Sequence, residues 1–211
     1  MDSNAMKHVS PRLTSRQTPP AAGSRGFSML EVLVAIAIFA FGAIGATGMQ
    51  LLATQANYEA MQRSRAVDLA TDIIERMRNN PTALDSYDSS LDTSWEIVGS
   101  DSIEDAPTTN CVTSTCTPTA LAAYDLWAWE QALDGNDVTR TEVAVGGLNK
   151  ATGCIRYTGD GRIELAIAWY GRRSKSNSTL ATGCTVDGRY DNADEYRRVL
   201  HLRTVIPPPS T

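Results

Sequence analysis

Polar and apolar positions divide the chain into three regimes. Residues 1–26 are rich in Ser, Thr and Pro and show no hydrophobic period. Over 27–53 the apolar character is continuous, with 20 of 27 residues apolar and Glu31 the only charge. Charge-free sequence then runs on to Tyr58, so 32–58 offers 27 uncharged residues. As a helix these extend about 40 Å, enough to span a bilayer. Residues 54–80 are good helix formers in which Tyr58, Met61, Leu69, Ile73 and Met77 recur near one face. Asp72 and Arg76 stand at i,i+4 with the acid first, the favourable order. Asn79-Asn80-Pro81 closes the pattern, because Pro81 disfavours helical geometry at Asn80 and has no amide proton to donate. The pattern predicts one helix over 27–80, apolar all round in its first half and amphipathic in its second. The second half should lie on a domain while the first protrudes.

Beyond Pro81 the signals shorten. Residues 82–119 are rich in Ser, Thr and Asp, with Trp95, Ile97 and Val98 marking one short strand at 95–98. Leu121, Tyr124, Ala128, Ala132 and Leu133 recur at helical spacing and predict a helix over 120–134. Residues 154–158 and 162–170 flank Gly159-Asp160-Gly161, a turn that tolerates positive φ, and read as a hairpin. Within it Ile163, Leu165, Ile167 and Trp169 alternate onto one face. A polar loop over 171–195 leads to a last strand, 196–206, with Leu200, Leu202 and Ile206 inward and Arg203 outward. The predicted class is α+β: a long N-terminal helix with a protruding apolar half, packed on a small antiparallel β-sheet.

Composition sharpens this picture. The 211 residues carry a net charge of -5, which argues against a general nucleic-acid binder, and the 42% apolar content argues against global disorder. The first 26 residues hold Lys7, Arg12, Arg16 and Arg25 against Asp2 alone, the charge bias of a targeting leader. Positive charge before the span places the N-terminus in the cytoplasm and the C-terminus outside. A cleaved secretory signal would end in a small-residue site after its apolar core, whereas here the helical pattern continues. Glu31 is the anomaly. A carboxylate at a bilayer centre costs about 2.5–3.5 kcal/mol and by default suggests a function, although near the interface the cost is small.

Read with its neighbours, the run Arg25-Gly26-Phe27-Ser28-Met29-Leu30-Glu31 resembles the type IV prepilin signature. The resemblance implies that a membrane prepilin peptidase cuts between Gly26 and Phe27 on the cytoplasmic side. It also implies that Phe27 becomes N-methylated and that Glu31 pairs with the N-terminal amine of a neighbouring subunit. Further on, Asp72-Ile73-Ile74-Glu75-Arg76-Met77-Arg78-Asn79 is similar to a block of the PilV family, the type IV pilus modification proteins. Leu126-Trp127-Ala128-Trp129 resembles that family's helix before the sheet. This likeness implies a minor pilin of the tip complex, supporting adhesion and twitching motility. Its implied partners are other minor pilins, the major pilin, the inner-membrane assembly platform and a tip adhesin, with the membrane itself before assembly. A pseudopilin of a type II secretion system is the rival within the class. A membrane-anchored periplasmic enzyme or binding domain is the rival outside it.

The chain then divides into a leader (1–26), an apolar stem (27–53), an amphipathic half-helix (54–80) and an exported head (81–211). Many major pilins have a helix-kinking Pro where this chain has Gly48. Gly42, Gly45 and Gly48 each weaken a helix by about 1 kcal/mol against Ala, which suits a bend or partial unwinding. Equally, small residues let helices pack closely in membranes. All four Cys lie in the exported head, where an oxidising compartment favours disulfides. Of the three pairings, Cys111–Cys116 with Cys154–Cys184 is favoured, the first closing a small loop and the second tying the polar loop to the hairpin. With His8 and His201 far apart in sequence and no C-x-x-C, nothing points to a metal or other cofactor, and no catalytic motif is present.

Overall fold

The computed structural model describes residues 26–90, 94–99, 102–103, 105–136, 138–141, 143–144, 146–174, 179–186, 188–191, 194–207 and 209. They fall into two compact units, Met1–Gly48 and Met49–Thr211. The expected leader, 1–25, lies outside the described residues.

In the first unit Gly26, Phe27 and Ser28 are non-helical, and helix α1 (Met29–Asn79) begins immediately after them. It starts two residues later than the apolar pattern suggests because Ser28 acts as its cap. The Ser28 hydroxyl accepts from the Leu30 amide at 3.3 Å and its carbonyl accepts from Val32 at 3.2 Å. Every described residue of this unit is exposed, which is costly for so apolar a surface in water.

The second unit takes up the amphipathic part of α1. Gln62, Ala66, Leu69, Ala70, Ile73, Ile74 and Met77 form its buried face. Leu69, Ile73 and Met77 were legible from spacing. Met61 is not part of this face, being 59% exposed, and Tyr58 is only half-buried. The face turns instead toward Ala66 and Ala70, whose small side chains let neighbouring elements approach the helix closely. The fully buried Trp129 indole donates to the Leu69 carbonyl at 2.9 Å. The helix ends at Asn79, and Pro81 opens a 3-10 turn, Pro81–Tyr87. Between them Asn80 is buried, and its amide donates to the Pro118 carbonyl at 2.7 Å and to the Tyr87 hydroxyl at 3.3 Å.

Strand β1 (Glu96–Val98) follows, then helix α2 (Pro118–Asp134). Thr117 caps α2 by accepting from the Ala120 amide, and Pro118 takes the first position, where a missing N–H costs nothing. The buried residues of α2 are Ala122, Asp125, Leu126, Trp129, Glu130 and Leu133. Of the expected face only Leu133 is fully buried, while Leu121, Tyr124, Ala128 and Ala132 are half-exposed. The face is rotated because two carboxylates lie on it.

A two-stranded ribbon, β2 (Thr139–Arg140) and β3 (Val143–Ala144), precedes the main sheet strands β4 (Thr152–Tyr157), β5 (Arg162–Tyr170) and β6 (Arg197–Val205). The main sheet runs β1-β4-β5-β6, antiparallel throughout, with Ile155 opposite Leu165 and Leu165 opposite Leu202. The β4–β5 turn needs glycine at Gly161, where φ is +77° and a Cβ would lie 2.0 Å from the Ile206 carbonyl oxygen. Gly153 in β4 is required by packing, since a Cβ there would lie 2.3 Å from the Trp129 ring.

The sheet has two buried faces. Ile163, Leu165, Ile167 and Trp169 join α1 and α2 in the main core, with Leu200 and Leu202 packed half-buried against it. Ile206 is buried and Arg203 exposed, as their alternation predicts. The opposite face carries a smaller core of Cys154, Ala166, Ala168, Ala181, Cys184 and Tyr190. The stretch 171–195, expected to be merely a polar loop, therefore contributes a core of its own. Its polar average conceals Ala181, Cys184 and Tyr190.

Candidate functional site

The candidate assembly residues lie at the start of α1. Phe27 is 82% exposed, and together with Glu31, Val32, Ala35, Ile36 and Phe39 it lines an apolar depression of about 610 Å³. Glu31 supplies its one ionisable side chain and stands in the first helical turn, where the helix dipole favours an acid. A lone carboxylate on so apolar a surface needs a cation once that surface is covered. The α-amine of a chain beginning at Phe27 would be a cation of the right kind.

Gly42, Gly45 and Gly48 lie in unbroken helix, and a Cβ at any of them would meet nothing within 4 Å. Their missing side chains therefore relieve no crowding within the chain, and no helical break marks them.

The four cysteines are paired as Cys111–Cys116 and Cys154–Cys184, leaving no free thiol. The second bond joins β4 to the segment covering the outer face of the sheet. Arg197 at the start of β6 holds the same segment, its buried guanidinium donating to the carbonyls of Ala181 at 2.8 Å and Cys184 at 2.9 Å. Burial pushes this guanidinium below its usual pKa range, a shift opposed by the nearby Asp194 charge. Tyr190 completes the cover, its hydroxyl donating to the Thr152 hydroxyl at 2.7 Å.

Two buried carboxylates on α2 escaped sequence reasoning. Asp125 accepts from the Tyr87 hydroxyl at 2.6 Å and from Arg76 at 3.1 Å, so Arg76 bridges Asp72 on its own helix to Asp125 on α2. Burial, then the hydrogen bond to Asp125, raises the Tyr87 pKa far above its ordinary value, keeping the hydroxyl a neutral donor. Glu130 accepts from the backbone amides of Gly99, Ser102 and Ile103 and from the Ser102 hydroxyl. Both acids are held by structural donors, Asp125 tying α2 to α1 and the Pro81–Tyr87 turn and Glu130 anchoring the loop after β1. The signal that could have found them is their spacing from Leu126, Trp129 and Leu133 on one helical face. His201 in β6 lies 3.9 Å from Glu164 and edge-on to Trp95, a structural setting.

Comparison with known proteins decides what this architecture is. Residues 22–47 match the model of the prokaryotic N-terminal methylation motif, and residues 48–127 match that of the type IV pilin Tt1218. The chain carries a type IV pilin domain. No curated protein and no solved structure matches it. Type IV pilins are structural rather than enzymatic, which accords with the use of buried acids as anchors. The methylation motif spans Gly26, Phe27 and Glu31 and so brackets the first turn of the pilin helix. The pilin match runs through the amphipathic part of α1, the Pro81–Tyr87 turn, β1 and the first half of α2. Strands β4 to β6 and the Cys154–Cys184 bond lie beyond it.

Proposed function

We propose that the chain is the precursor of a minor pilin that is built into type IV pili or primes their assembly, as a PilV-type member of a tip complex. The reading rests on one observation: a basic leader ends in Gly26, and Phe27 opens an apolar stretch, 27–53, whose only charge is Glu31. In this reading prepilin peptidase removes 1–26 on the cytoplasmic side, and the new N-terminal Phe27 is methylated. Cleavage before the apolar core leaves the stem in the product, first as a single-pass inner-membrane anchor with the head outside, later in the filament core. Glu31 then pairs with the α-amine of a neighbouring subunit and sets the axial stagger. Other minor pilins, the major pilin and the assembly platform are its partners, a tip adhesin its further contact. Adhesion and twitching are the processes it supports.

Mass spectrometry of the membrane-extracted protein tests the first step: it should begin at methylated Phe27 with no leader. An intact N-terminus would overturn the reading in favour of a plain membrane anchor. Glu31→Ala should still be processed yet be depleted from sheared pili by tenfold or more, because removing one partner of a buried ion pair is strongly unfavourable. Normal incorporation of that variant would refute the pairing.

A further inference from the structure

Where the uncharged sequence ends at Tyr58, the fold gathers cations and tyrosines that are far apart in the chain. A cleft of about 590 Å³ there is lined by Tyr58, Lys150, Tyr170, Arg172 and Tyr196, with Asp134 among its walls. The Arg172 guanidinium lies 4.3 Å over the Tyr58 ring and Lys150 lies 4.8 Å over Tyr170, which stacks on Tyr196 at 4.9 Å. The next residue, Arg173, reaches α1 and donates to the Gln55 side-chain oxygen at 2.9 Å. Both arginines and Lys150 are exposed. The nearest acid on α1, Glu59, is engaged by Arg198 at 3.6 Å. About two turns before Tyr58 on the same helix, Met49, Leu51 and Leu52 are 74%, 60% and 56% exposed.

This order of exposed apolar turn, then tyrosine, then cation is that of a membrane–water boundary. Tyrosine rings settle at headgroup depth, and Lys and Arg place their charge among the phosphates. A guanidinium stacked on a ring keeps its N–H donors in plane for oxygen acceptors. The positive-inside rule counts charges close to the span in sequence, and long translocated domains escape it. Here the fold returns Arg172 and Arg173 to the end of the span from more than a hundred residues away. In a chain of net charge -5 such a concentration of cations calls for an anionic partner.

We propose that this cleft binds the phosphate headgroups of anionic phospholipids in the outer leaflet of the membrane that holds the stem. It docks the head on the bilayer until the subunit is withdrawn into a filament. The inference rests on the reading of the stem as a membrane anchor, so the test separates the two. Full-length protein is reconstituted into phosphatidylcholine vesicles with and without phosphatidylglycerol, and flotation reports insertion. Hydrogen exchange then follows the amides around Arg172 and Arg173. These should exchange roughly fivefold more slowly with phosphatidylglycerol, the factor expected from one surface cation on an anionic leaflet. The Arg172→Gln/Arg173→Gln variant should lose the difference while strands β4 and β5 keep their protection. Failure to float in either vesicle overturns the anchor reading and the proposal with it. Insertion with equal exchange in both vesicles overturns the proposal alone. Protection restored by inorganic phosphate in neutral vesicles makes the cleft a free-anion site and also overturns it.

Discussion

Asp125 and Glu130 show what buried acids do in a protein without catalysis to perform. Each costs desolvation, and each is offset by donors that the chain would otherwise have to satisfy elsewhere. Asp125→Ala strands the buried Tyr87 hydroxyl and one arm of Arg76. We expect it to lower stability by about 3 kcal/mol, measured by urea unfolding of the second unit within the intact chain. Asn at this position, which still accepts from Tyr87, should lose less. Glu164 on β5 makes the opposite case, where charge matters more than burial. Burial alone would raise its pKa, but the Arg156 hydrogen bond and charge, with Arg203 and His201, outweigh this and hold it below the ordinary value. A carboxylate depressed in the folded state stabilises the fold above its unfolded pKa and loses that contribution as pH falls through the folded one. Stability should therefore decline from about pH 5 downward, and Glu164→Gln should flatten that decline. An unchanged slope in urea titrations at pH 7 and pH 4 would remove Glu164 from the account.

At the scale of elements, the strands were the most legible. Ile163, Leu165, Ile167 and Trp169 all point into the main core because a strand's period of two leaves little freedom of register. Helix faces were less so. Spacing located Leu69, Ile73 and Met77, but an apolar count passes over Gln62, Asp125 and Glu130, which are buried because they are hydrogen-bonded. The segment after β5 misled through its average polarity, since a few small and aromatic residues suffice to cover a narrow sheet face. That cover is held by one covalent link. The Cys154–Cys184 bond spans 30 residues, and its loss should cost roughly 3.5 kcal/mol in the chain-entropy view. A Cys154→Ala/Cys184→Ala variant should unfold at a correspondingly lower urea midpoint, whereas losing Cys111–Cys116, with its separation of 5, should cost about 2 kcal/mol. Equal effects of the two would mean that strain or residual structure, rather than loop length, dominates.

For the whole molecule, the N-terminal methylation motif was readable because it is local, with Gly26, Phe27 and Glu31 lying within six residues inside it. The Tyr58 cleft was not, because it joins residues 58, 150, 170, 172 and 196 that only the fold brings together. Removing 1–26 would leave 185 residues with 15 basic and 23 acidic side chains, a more acidic subunit than its precursor. The junction of α1 with the head has a mechanical consequence. Between Gln62 and Asn80 the helix is fastened side-on, by its buried face, by Trp129 to the Leu69 carbonyl, by Arg76 to Asp125 and by Asn80 to the Pro118 carbonyl. Tension drawn along the helix axis would load these fastenings together in shear instead of peeling them one by one. Forced rupture is governed by the unfolding barrier, so a pull along α1 would meet resistance where it is shared most widely.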